Sequence, residues 1–486
     1  MPLTITDRIP RAPTSIQTGG STEDRDRRLF YAELADFWDG LQWDTKRKSN
    51  TETRLVLNYA RSLIRKSISY TLGEPAQHTV VPSETMSKSS AEDYEKLLKS
   101  TIESASADET DTLMLTDASI YGEGVTKITW DVDRRCPVMA AIHPNQVNLW
   151  VNLARPDEVV KAEHGYYLAG FQAAQHFRQL PESVDEGATA TEGYPVVETW
   201  TADRWQVTIN NHLMIDQPNP YGLVPYVPLI NEPRTGRQWG QSDLWDLMDV
   251  CQELNQRMST LAGILKMSGS PIAVLEGIDG AEGIKSEPGA KWELPEGAKA
   301  YLLDLLGGNG VSLHIDTIEQ LRTSMHDLAE IPRSAFGDSG RTLSGAALEV
   351  ELQPAVHKAR RKRKALSRFY RRRNQILFEL LRRFAGEEIP DDITTAVIFP
   401  NILPTDRAQD AVTAAQLVAS GIRSRRAAAA DLGEPDPQQQ LTDWLEESRM
   451  IAAQSQATTQ PAEEQTRNGS KASVRSGADP GASDPS

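Results

Sequence analysis

Residues 357–373, HKARRKRKALSRFYRRR, carry ten Lys or Arg side chains and no acid. They are Lys358, Arg360, Arg361, Lys362, Arg363, Lys364, Arg368, Arg371, Arg372 and Arg373. On a helix of 3.6 residues per turn they cover most of the circumference. Such a band can meet a polyanion or an acidic partner subunit. The plainer reading is a solvated helix with neighbouring acids. A second constellation is acidic. Asp246, Asp249 and Glu253 fall at i, i+3 and i+7, on one helix face. Asp316, Glu319, Asp327 (beside His326) and Glu330 trace a similar stripe. Alone, each stripe reads as a solvated outer face. Together, on two long helices around a small β unit, they could line a tunnel that repels DNA.

No residue set makes a positive case for catalysis. GEGVTK (122–127) lacks the phosphate-loop spacing and precedes a strand, so it reads as a helix-end turn. The eight histidines show no HExxH and no paired metal spacing, and there is no G-x-S-x-G elbow. Cys136 and Cys251 are the only cysteines, too few for a disulfide framework or a Cys-rich metal site. The expectation is a non-enzyme with no cofactor and no metal.

The elements that must position these residues follow from patterning. The chain has 486 residues, enough for two to four domains, with 39% hydrophobic and 25% charged residues. Net charge is −16, from 52 basic and 68 acidic residues; without the basic band, 42 basic face 68 acidic. Taken whole, that balance argues against a protein that coats nucleic acid. No apolar run reaches membrane-span length, and the start lacks a secretory h-region. Spacing predicts helices over 24–39, 53–72, 91–104 and 108–122, then a sheet-rich unit over 125–231 with a hairpin tip near 181–193. Gln241-Ser242-Asp243 opens a helix over 240–267, about 42 Å long. Short strands are expected in 271–302 (PIAVLEG, AKWELP, KAYLLDL), a helix over 311–330, and a Gly-containing loop at 332–342. A helix from Ser344 to about Phe384 should kink at Pro354. A strand at 394–400 and helices near 405–420, 423–431 and 437–453 follow. The first residues and those beyond about 455 read as flexible.

Four segments in this order resemble the portal proteins of tailed, siphovirus-type bacteriophages. They are NYARSLIRKSISYTLGEP (58–75), the stretch from VPYVPLINEPRTGRQWGQ to SGSPIAVLEG (224–277), IPRSAFGDSGRTLSGAALEVELQPAVHKARRKRKAL (331–366) and AAQLVASGIRSRRAAAADLGEPDP (414–437). The resemblance runs from about residue 25 to 453.

It implies an α+β chain assembled as a ring of about twelve subunits. The division would be an N-terminal arm (1–24), a mixed α/β wing (25–239), stem helices (240–267 and 309–331), a small β clip (268–308), a tunnel loop (332–343), the long helix and wing strand (344–400), a helical crown (401–453) and a tail (454–486). Arg333, Gly337, Gly340 and Arg341 of the tunnel loop would touch the DNA backbone without reading bases. The acidic stripes would line the channel. The basic helix would lie in the wing, against acidic neighbours or packaged DNA. Implied partners are further copies of the chain, double-stranded DNA, the terminase large subunit, head–tail connector or adaptor proteins, and the major capsid protein and scaffold, with no membrane. The place is a virion vertex, after assembly in the host cytoplasm. The rival reading is a DNA-binding or DNA-processing protein that uses helix 357–373, or a minor capsid protein without a channel.

Overall fold

A computed structural model describes residues 22–42, 54–82, 86–152, 154–177, 179–185, 193–268, 273–277, 296–302, 310–338, 340, 344–403, 407–434 and 437–458. The fold is mixed helix and sheet, as expected. The chain divides into two compact units, the second beginning at Pro404.

The first unit opens with α1 (Thr22–Asp39), α2 (Tyr59–Leu72), β1 (Gln77–Val81), α3 (Lys88–Ser104) and α4 (Ala107–Tyr121). α2 starts at Tyr59, later than the spacing predicts. Asn58 caps it by accepting from the Arg61 N–H. The residues before it form no helix, with Leu57 N–H donating to Asn255 Oδ1 and Leu55 N–H to Ser259 Oγ.

The sheet-rich region holds β2 (Glu123–Asp131), β3 (Cys136–Ile142), β4 (Val147–Asn152), β5 (Arg155–Leu168), the short α5 (Gly170–His176), β6 (Tyr194–Thr201), β7 (Arg204–Ile209), β8 (His212–Pro218) and β9 (Tyr226–Ile230). It forms two antiparallel sheets, β3-β2-β9 and β4-β5-β6-β7-β8. Lys127 of β2 pairs with buried Glu198 of β6 at 2.7 Å. Glu198 also accepts from Tyr166 Oη and Trp200 Nε1, so the buried carboxylate is satisfied. Trp200 stacks between Trp205 and Tyr221.

Next come α6 (Met248–Ser268), β10 (Ala273–Glu276), β11 (Lys299–Leu302) and α7 (Gly310–Ala329). α7 packs along α6, and β10 pairs antiparallel with β11. The expected strand AKWELP lies outside the described residues. α6 is shorter than expected, about 31 Å, because residues 243–247 form turns rather than helix.

The last part holds α8 (Gly345–Glu351), α9 (Gln353–Leu380) and β12 (Thr394–Ile398). One kinked helix is corrected to two. The chain breaks at Leu352, and Pro354 sits in the first turn of α9, where its missing N–H leaves no helical bond unmade. α9 is the hub of the core. Leu366, Phe369, Ile376, Leu377 and Phe378 are buried there, and the helix packs on α2, α3, β2, β5, β9 and β12. β12 pairs with β1, which closes the first unit across its whole sequence.

The second unit contains α10 (Arg407–Ala419), α11 (Arg425–Asp431) and α12 (Pro437–Thr458). α12 continues to Thr458, beyond the expected end of order near 455.

Candidate functional site

The hairpin of α6 and α7 carries the acidic constellation. Asp249, Asp316 and Asp327 are exposed and make no ion pair among the described residues; Asp246 shares both properties. Asp246 lies in the turn before α6, so it does not continue a helical face with Asp249 and Glu253 as expected. The three glutamates are engaged. Glu253 accepts from Arg257 at 2.6 Å. Glu319 meets Arg322 and Arg333. Glu330 accepts from Arg361 at 2.5 Å. The hairpin thus presents three free aspartates, with Asp246 a fourth at its root, beside glutamates already matched by cations.

After α7 the chain turns sharply. His326 is buried, and its Nδ1 lies 2.7 Å from the Ile331 carbonyl. Residues Arg333–Phe336 form one tight helical turn closed by Gly337, whose φ of +83° is in the left-handed region. Arg333 is held by Glu319 and by Asp338, the latter at 2.6 Å, so its charge is balanced within the chain. Gly340 also has positive φ. Arg341 lies outside the described residues.

The basic helix splits by face. Arg360, Arg361, Lys364, Arg368 and Arg371 are exposed and Arg372 is half-buried, whereas Lys358, Lys362, Arg363 and Arg373 are buried. Those four do not face outward, and that part of the expectation is corrected. A buried cation must be paired or neutral, and each of the four has its partner. Lys362 Nζ meets Asp243 at 2.7 Å and Asn231 Oδ1 at 2.6 Å. Lys358 Nζ donates to the Ala329 carbonyl at 3.1 Å and lies 3.9 Å from Asp243. Arg363 donates to the Thr71 carbonyl at 2.8 Å and also bonds the Pro400 carbonyl. Arg373 pairs with Asp111 at 2.8 Å and lies over the Tyr370 ring.

Burial works against ionisation of Asp243, but the Lys362 and Lys358 ammonium groups outweigh it and hold its carboxyl below the usual value. Burial lowers Lys362, and Asp243 only partly restores it. For Asp111 burial dominates and raises the carboxyl despite Arg373. Arg373 also donates to His78 Nε2 at 3.1 Å, which makes that nitrogen an acceptor and the imidazole neutral. Burial, then Arg373, push His78 down to about 3.

A hairpin with bare carboxylates, a short β pair at its tip, a tight loop at its return and a hub helix behind it has the element order of the segments compared above. A family model described as phage portal protein, SPP1 Gp6-like, matches residues 27–454. The chain belongs to this family. No curated protein matches it.

As a phage portal protein it is a virion component of the genome-packaging system. The family is structural rather than catalytic. Among the described residues no helix is long and apolar enough to cross a membrane. The portal chain also uses residues that sequence reasoning did not single out for this purpose. Asp243 reads in the sequence as a helix-start signal, yet α6 begins only at Met248 and Asp243 is the anion of a buried cluster. Asn231, which donates to Asp243 at 3.1 Å, carries no local signal. Its contact with Lys362 spans 131 residues.

Proposed function

We propose that this portal chain assembles into a ring of about twelve copies at one capsid vertex, and that double-stranded DNA passes through the centre. Asp249, Asp316 and Asp327 along the α6–α7 hairpin, with Asp246 at its root, all exposed and unpaired among the described residues, are the observation that carries the reading. Duplex DNA presents one charge per roughly 1.7 Å of axis. A wall that neutralised many phosphates would hold it, and each neutralised phosphate would add to a salt-dependent grip. Bare aspartates, with Glu253, Glu319 and Glu330 muted by arginines, keep the duplex centred and mobile.

In this reading the hairpin is the stem, 268–308 the clip, 25–239 with 344–400 the wing, and 401–453 the crown. The clip would dock the terminase large subunit during packaging and head–tail connector proteins afterwards; the wing would meet the major capsid protein and scaffold. The loop at 332–343 would approach DNA through Arg333, Gly337, Gly340 and Arg341. Arg333 would do so with its charge already shared, which favours a light contact over a clamp. The basic helix supports this reading over the DNA-binding rival, because four of its ten cations serve the chain's own interior.

The test is purification of the full chain, with negative-stain imaging and mass photometry. Closed rings with a central hole are expected. A stable monomer that binds duplex DNA in a salt-dependent way would overturn the reading.

A further inference from the structure

α9 borders a groove of about 520 Å³ whose floor is apolar, including Val227, Ile230, Trp239 and Phe369. Arg237, Arg368, Arg371 and Arg372 line it against a single carboxylate, Asp157. A second hollow of about 340 Å³ continues it, sharing Ile230, Pro233, Ala365 and Arg368 and adding Arg361 and Lys364. Arg237, Lys364 and Arg368 make no side-chain hydrogen bond or ion pair among the described residues, and Arg371 only returns to the Ser367 carbonyl of its own helix. Free guanidinium groups around an apolar floor ask for carboxylates flanking an apolar side chain. The phosphate backbone of duplex DNA would meet the guanidinium groups but presents little apolar surface to that floor.

The chain carries the complement elsewhere. On α4, Glu109, Thr112, Leu113 and Thr116 share one face at i, i+3, i+4 and i+7. Leu113 is 53% exposed. Glu109 beside it, and Asp108 about 140° round the helix in its first turn, are exposed and unpaired among the described residues. Leu115 of the same helix lines the second hollow. Residues two apart on a helix lie about 200° apart, so Leu113 looks away from its own groove. The two surfaces cannot meet within one chain.

We propose that the groove beside α9 receives the Glu109–Leu113 face of α4, with Asp108 in the first turn of that helix, from a second copy of this chain. The contact is head-to-tail, with different surfaces on the two copies, and repetition of such a contact closes a ring if the rotation allows. The proposal rests on the ring reading above and assigns its interface.

The test uses full-length chains and mass photometry at equal concentration, with circular dichroism and a thermal melt to show that each variant is folded. Arg368→Glu/Arg371→Glu and Asp108→Arg/Glu109→Arg alter exposed positions only. Each pair is expected to reduce the ring fraction at least tenfold relative to the wild type, and the four changes together to restore it. Rings undiminished in either pair would overturn the interface and leave the portal ring standing. Failure of the fourfold variant to recover would overturn the pairing of groove with α4. Loss of salt-dependent binding to a fluorescent duplex, with ring formation intact, would assign the groove to DNA and overturn the proposal. A wild-type chain that never forms rings would overturn both readings.

Discussion

Lys362 of α9 and Asp243, in the turns ahead of α6, form an ion pair of 2.7 Å in which each side chain is 2% exposed. Asn231 completes the cluster by accepting from Lys362 and donating to Asp243. Ser119 of α4 adds a contact with Lys362 at 3.3 Å. The cluster joins the end of α4, the segment after β9, the root of α6 and the hub helix in one buried knot.

Removing one charge from that knot strands the other. Lys362→Met should lower stability by about 3–5 kcal/mol, and Lys362→Met with Asp243→Leu should recover at least half of it. Arg361→Ala, which removes the exposed pair with Glu330, should cost no more than about 1 kcal/mol. Urea unfolding of the three variants measures the contrast. Equal losses for Lys362→Met and Arg361→Ala would show that burial of the pair has no energetic weight.

Close backbone approach gives a second contrast. A Cβ on Gly240 would lie 1.7 Å from the Asn231 carbonyl oxygen, and one on Gly122 would lie 2.6 Å from that of Gly240. Gly240→Ala should therefore destabilise by about 2 kcal/mol or more, since the neighbour is backbone and cannot step aside. Gly337 has open space around it but a φ of +83°, so Gly337→Ala should lose only about 1–2 kcal/mol. Melting temperatures rank the two; the reverse order would refute the argument.

His78 sets a pH dependence. It stays neutral in the fold down to about 3, whereas an unfolded histidine takes up a proton near 6.5. Below 6.5 the unfolded chain binds the extra proton, so stability falls as pH falls. At pH 5 that loss is about 2 kcal/mol relative to pH 7.5. Asp117 runs the other way. Burial raises it to about 7, so its folded form gains a proton between 7 and 3.8, and stability rises there as pH falls. Because the two oppose each other, the comparison is wild type against His78→Gln, by urea melts at both pH values. The variant should lose about 2 kcal/mol less on acidification. Identical losses would show that His78 titrates normally in the fold.

The four free aspartates make a prediction about passage. Changing Asp246, Asp249, Asp316 and Asp327 together to Lys should leave the subunit folded. It should also strengthen retention of duplex DNA by the assembled protein, with a steeper salt dependence than the wild type. Filter binding across a salt series reads both quantities. Unchanged retention would separate these residues from the DNA path.

How much of this was legible in the sequence depends on the range of the interaction. α4, α7 and β12 follow local periodicity and lie close to where spacing puts them, and β2 to β9 fill the span expected to be sheet-rich. α2 starts later than spacing predicts because Asn58 supplies a cap that periodicity ignores. α5 lies inside the span that reads as sheet. β1 pairs with a strand at the far end of the unit, and no local pattern names that partner. The basic helix is the sharpest case. Its ten charges are plain in the sequence, but which are exposed depends on Asp243, Asp111, Ala329 and Thr71, each brought in from another element. Arg333 reads as a free cation until Glu319 and Asp338 are seen beside it.

Lys358 and Lys362 stand one turn apart on α9, and between them they hold both roots of the α6–α7 hairpin: Lys358 takes the carbonyl of Ala329 at the end of α7, and Lys362 takes Asp243 ahead of α6. The hairpin therefore projects like a cantilever, built into α9 at its root and braced part-way along α6 at Asn255 and Ser259. A sideways load at the β10–β11 tip acts through a lever of about 14 Å beyond the tie at Ser259, and is shared between that tie and the α9 turn. α9 in turn is seated against both sheets and the β1–β12 pair, so the strain is delivered into the core of the first unit.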